Sequence, residues 1–293
     1  MKKIVLAVVL ALALVVGAVG IAGAITNGTP DNYDHPYVAL LVLGVDSEDG
    51  FVPFWRCSGS LIAPNVILTA GHCTEGTTRA VAWFEPGPVL WGTMPDTASA
   101  CDSYTGYPCT GDAAGDTYLN PDYRSDENPY GGGNGLPAFS YRDVGIIVLD
   151  EPIDVGGLAQ LPEAGLVDTL PNKAPVDFVG YGVQYQVQIP GKFLPQPPPY
   201  YRWAGPRERL YAPSNLVSGN FVFSPEFARL ALNPGGGTGG TCFGDSGGPD
   251  LLGGTDTVLS VNSFVTNINC SGVGYSSRID IPEVLEWIYT FMP

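Results

Sequence analysis

The sequence predicts a fold that consists mostly of β-strands and ends in a single C-terminal helix. Apolar stretches of strand length recur along the chain, and glycine, proline and asparagine separate them. The 293 residues include 39 glycines and 27 prolines, and few segments show a helical period. Only residues 280–292 have that period, because Pro282 suits a first helical turn and four apolar side chains share one face. These four are Ile281, Leu285, Ile288 and Met292.

Four stretches carry the clearest strand pattern, and they are spread over the chain. In order they are residues 37–45 (YVALLVLGV), 60–70 (SLIAPNVILTA), 144–150 (VGIIVLD) and 176–182 (VDFVGYG). Each is largely apolar and is bounded by residues that favour turns. Segments rich in glycine or proline are predicted to form surface loops, at residues 128–137, 195–201 and 233–240.

The first 24 residues have the pattern of a secretion signal. Two lysines precede an apolar run over residues 4–21, and Ala22-Gly23-Ala24 has the small-residue form that signal peptidase cuts. The alternative is an uncleaved anchor, because such a run is long enough to span a bilayer. We predict cleavage after Ala24. The remaining domain, residues 25–293, would be extracellular or periplasmic, with no stable membrane association.

The composition argues against several classes of binding protein. The formal net charge is −16, so the chain would repel nucleic acid and anionic lipid, and we interpret the charge as a means of solubility. The chain has two histidines and no Cys-x-x-Cys spacing, so we predict no bound metal and no cofactor. The oligomeric state does not follow from these features.

All six cysteines lie beyond the predicted signal segment. An even number of cysteines in an exported chain is typical of disulfides. Cys101 and Cys109 bracket a short loop and are near enough in sequence to form a local pair. The spacing alone does not choose among the possible pairings.

Candidate chemistry concentrates in residues 240–250, GTCFGDSGGPD. The hydroxyl of Ser246 becomes a nucleophile when a base takes its proton, and the glycines around it let a substrate carbonyl approach the backbone amides. Gly244, Ser246 and Gly248 also match the G-x-S-x-G pattern of α/β-hydrolases. That fold needs a histidine after the serine, and this chain has none. The glycines and proline after Ser246 are also poor helix formers, so we reject this alternative.

The base must come from one of two histidines. His72 follows an apolar strand and precedes Cys73, whereas His35 precedes Pro36 in a predicted surface turn. Asp143 stands just before the strand at 144–150, where a carboxylate is able to orient an imidazole and stabilise its charged form.

The chain resembles the chymotrypsin/trypsin family of serine endopeptidases in the order of His72, Asp143 and Ser246 and in the short motifs around these residues. The similar stretches cover essentially the whole chain after residue 24. They are ITNG, CSGSLIAPNVILTAGHC, YLNPDYR, DVGIIVLD, GYG, CFGDSGGP and VNSFVTNINC.

This resemblance implies an all-β fold of two packed, six-stranded antiparallel barrels with a C-terminal helix. The first barrel would span residues 25–160, and the second barrel with the helix would span 171–293. Ser246 would attack a protein or peptide substrate, His72 would carry the proton, and Asp143 would hold His72. The amides of Gly244 and Ser246 would form the oxyanion hole.

The resemblance also implies three disulfides and a buried amino terminus. The disulfides would join Cys57 to Cys73 and Cys242 to Cys270, and Cys101 would then pair with Cys109. In this family a new amino terminus folds inward and its ammonium pairs with the aspartate before the nucleophile. Here these two residues would be Ile25 and Asp245. Our hypothesis is that signal peptidase creates Ile25 directly and thereby activates the enzyme.

The predicted specificity pocket departs from the best-known members. Gly240 stands where an acid often lies at the pocket base, so a preference for arginine or lysine loses its electrostatic reason. Ser263 and Val265 resemble the pocket wall, where Val265 replaces a usual glycine and would narrow the entrance. We therefore predict cleavage after apolar or small uncharged residues. The alternative function is a catalytically silent homologue that binds proteins.

The interval between His72 and Asp143 is 71 residues, which is longer than the family needs. We interpret the additional residues as surface loops. A calcium site at Asp126 and Glu127 is the alternative, and we do not predict it.

Overall fold

The computed structural model describes residues 25–48, 50–89, 107, 109–124, 141–189, 200–218, 225–233, 238–267 and 269–293. The predicted signal segment, the loop at 128–137, the acidic residues at 126 and 127, and Cys101 lie outside these residues. The helices described are α1 (Gly71–Thr74), α2 (Leu166–Thr169) and α3 (Pro282–Tyr289). None of the described helices is long and apolar enough to cross a membrane.

The described strands run through the whole domain. They are β1 (Thr29–Pro30), β2 (Val38–Ser47), β3 (Gly50–Ala63), β4 (Val66–Thr69), β5 (Arg79–Trp83), β6 (Ala113–Leu119), β7 (Gly145–Leu149), β8 (Pro175–Gly180), β9 (Tyr185–Ile189), β10 (Tyr200–Ala204), β11 (Leu210–Ser218), β12 (Phe227–Leu232), β13 (Pro249–Leu252), β14 (Val258–Val265) and β15 (Gly272–Arg278). The four stretches with the clearest pattern contribute to β2, β3, β4, β7 and β8. The run at 60–70 is divided by a turn between Ala63 and Val66.

The first six-stranded barrel closes in the order β2-β3-β4-β7-β6-β5, with antiparallel neighbours throughout. Closure pairs every strand on both sides and leaves no open edge. Large aliphatic side chains fill the core, among them Leu40, Leu41, Ile67 and Ile146, all of which are fully buried.

The register of β4 on β7 brings two distant segments together. Thr69, the last residue of β4, lies opposite Gly145, the first residue of β7. The chain that follows β4 therefore meets the chain that precedes β7. His72 lies in the first of these segments and Asp143 in the second.

The second barrel closes in the order β8-β11-β12-β15-β14-β13, and it is also antiparallel. Its apolar core includes Phe178, Leu230 and Leu259. Ile25 is fully buried in this core, and β1 pairs with β11. The start of the described chain thus packs on the second barrel, although in sequence it precedes the first. Strands β9 and β10 form a separate hairpin.

The terminal helix α3 is shorter than the helical pattern. It covers Pro282–Tyr289, and Ile281 is its extended N-cap residue. Val284, Leu285 and Ile288 are buried. Met292 packs against the same core from beyond the helix end. The apolar period continues past the helix because the chain stays on the core surface after the helical hydrogen bonds end.

Candidate active site

His72 lies on the short helix α1, where it contacts Asp143 through both its backbone and its ring. Its amide donates to Asp143 Oδ1 at 2.7 Å, and its ring Nδ1 lies 2.8 Å from Asp143 Oδ2. The Asp143 side chain is fully buried, and the His72 side chain is 31% exposed. Gly71 permits this approach, since a Cβ there would lie 3.0 Å from the Val144 amide nitrogen. The imidazole is thus held on one side and open on the other.

The pair is electrostatically coupled. Burial raises the pKa of Asp143, but the charge and hydrogen bonds of His72 and the hydroxyl of Ser263 outweigh burial, so the pKa falls below its usual value. Burial lowers the pKa of His72, but the charge and hydrogen bond of Asp143 outweigh it and raise this pKa above 6.5. Asp143 therefore stays ionised and stabilises the protonated imidazole.

Ser263 has a role that the sequence analysis missed. We predicted it as part of the pocket wall, and its hydroxyl also donates a hydrogen bond to Asp143 Oδ2. Ser263 lies on β14 of the second barrel, so this bond joins the two barrels at the site. The resemblance at VNSFVTNINC marked the segment, but the contact depends on how β14 faces the first barrel.

Ser246 is held against the first barrel by its neighbours. Its carbonyl accepts a hydrogen bond from the Ser58 amide at 2.8 Å. Gly247 has a φ of +76°, and a Cβ there would lie 2.1 Å from Thr69 Oγ1, so the close approach requires glycine. Cys73 Sγ lies 3.7 Å from the Ser246 carbonyl oxygen and 3.8 Å from His72 Nε2. Ser246 and His72 therefore occupy the same cleft.

Within the described residues, no hydrogen bond joins the Ser246 hydroxyl to His72. Such bonds are often long without substrate and tighten when substrate binds. Two amides beside the hydroxyl, those of Gly244 and Ser246, also donate no hydrogen bond to described residues, whereas the Asp245 amide donates to Cys242. The carbonyl of Gly244 is fixed by the Ser58 hydroxyl at 3.0 Å. The loop thus leaves two amide donors available to a ligand oxygen.

Asp245 is fully buried and accepts two backbone hydrogen bonds. The Gly182 amide donates to Oδ1 at 2.8 Å and the Cys242 amide to Oδ2 at 2.9 Å. Burial nevertheless raises the pKa of Asp245 to about 7. Among the described residues, no cation forms an ion pair with it, and no hydrogen bond joins it to Ile25. Because residue 24 precedes Ile25 in this chain, the Ile25 nitrogen is part of a peptide bond and is uncharged.

A cavity of about 210 Å³ adjoins Ser246. Ser263 and Val265 line it, as do residues of the loop that carries Ser246. The complete lining is Thr241, Cys242, Phe243, Ser246, Asn262, Ser263, Phe264 and Val265. Gly240, which we predicted at the base of this pocket, is absent from the lining. It pairs instead with Thr26, whose amide donates to its carbonyl at 2.8 Å.

The second histidine forms a different site. His35 Nδ1 lies 2.5 Å from Asp31 Oδ1, and Asp31 also accepts a hydrogen bond at 2.7 Å from Arg209 Nε. Arg209 is fully buried and bridges the barrels, because it donates to the carbonyls of Val38 and Phe84. His35 takes no part in the cleft around Ser246.

The cysteines in the described residues do not form a metal site. Cys57, His72 and Cys73 lie close together, but Cys57 and Cys73 form a disulfide and offer no thiolate. A second disulfide joins Cys242 to Cys270 and ties the loop that carries Ser246 to the connection between β14 and β15. Both pairings agree with those that the resemblance implied. The pairing of Cys101 with Cys109 stays a prediction, since Cys101 lies outside the described residues.

This chain is similar in sequence to known proteins. The Trypsin family model matches residues 25–93. Proproteinase E of Bos taurus is 29% identical over 248 residues, which cover 79% of this chain and 81% of that protein.

Solved structures share the fold at lower identity. HL collagenase has a TM-score of 0.57 at 18% identity, and the match covers 88% of this chain and 94% of the collagenase. Human heparin binding protein has a TM-score of 0.52 at 16% identity, covering 90% of this chain and 94% of that protein. In sequence and in its two-barrel fold, this chain is similar to serine proteases of the chymotrypsin/trypsin-like family.

Proposed function

We propose that this chain is a serine endopeptidase that hydrolyses peptide bonds in proteins or peptides. The observation that carries the proposal is the pair of His72 and buried Asp143 in one cleft with Ser246. Both the amide and the ring of His72 bond to that carboxylate. A histidine oriented in this way is suited to take the proton of a neighbouring serine hydroxyl.

In the proposed reaction, His72 takes the hydroxyl proton while Ser246 Oγ attacks the carbonyl carbon of the scissile bond. The amides of Gly244 and Ser246 stabilise the negative oxygen that forms. His72 then gives the proton to the leaving amine, and an acyl-enzyme remains. Water attacks this ester while His72 takes a proton from it. The bond between the acyl carbon and Ser246 Oγ then breaks, His72 returns the proton to Oγ, and the acyl group leaves as a carboxylic acid. Asp143 keeps Nδ1 of His72 protonated and stabilises the imidazolium.

Activation would follow from export. Removal of residues 1–24 would convert the Ile25 nitrogen into an ammonium, and a cation beside Asp245 would offset the burial of this carboxylate. In support, the Trypsin family model begins its match at Ile25, and Thr26 bonds to Gly240 two residues before Cys242, an amide donor to Asp245. The protein would then act outside the cell or in the periplasm, without a separate propeptide.

The pocket beside Ser246 would receive the substrate side chain that precedes the scissile bond. Three apolar side chains line it, those of Phe243, Phe264 and Val265, and no charged residue does. We therefore propose cleavage after apolar or small uncharged residues. A buried cation without a partner would be costly there.

A catalytically silent binding protein is the second candidate. The observation that favours it is the absence, among the described residues, of a hydrogen bond from the Ser246 hydroxyl to His72. One structural neighbour is a heparin binding protein. The net charge of −16 opposes a polyanionic ligand of that kind for this chain.

The intact mass of the secreted protein, before and after a fluorophosphonate reagent, separates these functions. We expect loss of residues 1–24 and one adduct, which is absent from the Ser246→Ala variant. A chain that starts at Ile25 without an adduct would favour the silent homologue. A shorter chain that still labels would show a propeptide and would contradict direct activation.

A further inference from the structure

The wall of the pocket continues into a polar part of the second barrel. Four buried polar side chains lie on three adjacent strands, and we call them the inner polar cluster: Asp250 on β13, Ser260 and Asn262 on β14, and Ser276 on β15. In the strand register Asp250 lies opposite Ser260, and Asn262 lies opposite Ser276. Barrel interiors are normally filled by apolar side chains, so the burial of four polar side chains here calls for an explanation.

Asn262 is the member of the cluster that lines the cavity, and it is 5% exposed. Its Nδ2 donates to the carbonyl oxygen of Gly248 at 3.1 Å. Because a carbonyl oxygen accepts and does not donate, this bond identifies which side-chain atom of Asn262 is the nitrogen. The remaining atom, Oδ1, is therefore the acceptor of the amide group. In the described part of the chain, Oδ1 of Asn262 has no hydrogen-bond partner. The pocket therefore contains an oriented acceptor.

Asp250 is the acidic member of the inner polar cluster. It is fully buried, its Oδ2 accepts the Ser260 hydroxyl at 2.7 Å, and its Oδ1 has no hydrogen-bond partner among the described residues. Burial and, to a lesser extent, the charge of Asp245 raise the pKa of Asp250 to about 7, against the opposing effect of the hydroxyls of Ser260 and Ser276. An anionic substrate group would meet the acceptor oxygen of Asn262 and no cation in the lining of the cavity, so carboxylates are disfavoured there.

We propose that Asn262 makes this pocket selective for a neutral side chain that ends in N–H donors, for which glutamine is the natural fit. This inference rests on the proposed endopeptidase function, and it revises the specificity proposed above: among uncharged side chains, glutamine would be preferred to apolar ones. A glutamine amide would satisfy Asn262 Oδ1, whereas an apolar side chain would cover that oxygen and leave it unpaired. A lysine or arginine would bury a full charge against one neutral amide, because no carboxylate lines the cavity.

The test compares peptides that differ only in the residue before the scissile bond: glutamine, methionine of similar length, isosteric glutamate, and lysine. We expect the wild type to show kcat/KM about tenfold or more higher for glutamine than for methionine, the size of one well-made hydrogen bond. Asn262→Val removes the acceptor at similar volume. In that variant the ratio should fall towards one while the methionine peptide is still cleaved.

A contrast variant and an activity probe make the result decisive. Ser260→Ala removes a hydroxyl of the inner polar cluster that does not line the cavity, and this variant should keep the glutamine preference. If it abolishes the preference and Asn262→Val does not, the acceptor is wrongly assigned. Fluorophosphonate labelling shows that each variant is folded and active. A labelled wild type that prefers methionine, glutamate or lysine overturns this inference alone, whereas an unlabelled wild type overturns the proposed function itself.

Discussion

The two histidines of the chain form two Asp–His pairs with almost the same local geometry. His72 bonds to Asp143 through its amide at 2.7 Å and its Nδ1 at 2.8 Å. His35 bonds to Asp31 through its amide at 3.1 Å and its Nδ1 at 2.5 Å. Both carboxylates are fully buried. Contact between the two side chains therefore does not by itself distinguish a catalytic pair from a structural one.

The surroundings distinguish them. Asp31 is neutralised by buried Arg209, and the ring of His35 stacks on Tyr211 at 5.7 Å and meets the edge of Tyr37. Asp143 has no second cation among the described residues, and its other side-chain donor is the neutral hydroxyl of Ser263. The His72 side chain is 31% exposed, against 14% for His35. A pair suited to proton transfer needs a carboxylate whose charge no second cation neutralises. It also needs an imidazole nitrogen that is accessible to substrate.

The test with the largest expected effect replaces the aspartate of each pair by asparagine. Asp143→Asn should lower kcat by about 10⁴-fold, as in other Ser–His–Asp triads, because the wrong imidazole tautomer is held. Asp31→Asn should leave kcat per active molecule within about threefold, since His35 takes no part in the cleft. Peptide hydrolysis normalised by fluorophosphonate titration gives both values. Equal losses in the two variants would contradict the distinction between the pairs.

Arg209 tests the structural pair through stability. Arg209→Met should cost about 3–5 kcal/mol in free energy of unfolding, because buried Asp31 loses its main cation. The matched control is Arg79→Met. Arg79 pairs with exposed Asp116 and Asp150, so this change should cost about 1 kcal/mol or less. Denaturant unfolding of both variants gives the comparison, and similar costs would show that Arg209 is not a structural anchor.

The pH dependence of kcat/KM gives the smallest expected effect, and it tests His72 most directly. His72 must be neutral to accept a proton, and the charge and hydrogen bond of Asp143, which exceed the opposing effect of burial, raise its pKa. As pH rises through that pKa, kcat/KM should therefore increase, with a midpoint above 6.5. Ser263→Ala should shift the midpoint by less than one unit and reduce the rate modestly. A midpoint below 6.5 would mean that burial, not Asp143, dominates.

Local patterns in the sequence were sufficient for several features. The strand stretches, the C-terminal helix and the residue types around Ser246 follow from short-range periodicity and composition. The two-barrel architecture was implied by the resemblance of several short motifs to the chymotrypsin/trypsin family, and the structure confirms it. The length of α3 was overestimated, because an apolar period records contact with the core and not helical hydrogen bonds.

Other features depend on how distant strands meet. The bond from Ser263 to Asp143 arises from the way β14 faces the first barrel. Gly240 pairs with Thr26, which is more than 200 residues away in sequence, and it is not in the lining of the cavity. No local pattern contains either contact.

By itself, the sequence determined the residue types of the candidate site and the family that they resemble. It did not determine which buried carboxylate would share its charge with an arginine, nor which polar side chain would face the pocket. The tertiary structure decided both, because barrel closure sets the register, and register decides which groups lie within hydrogen-bond distance.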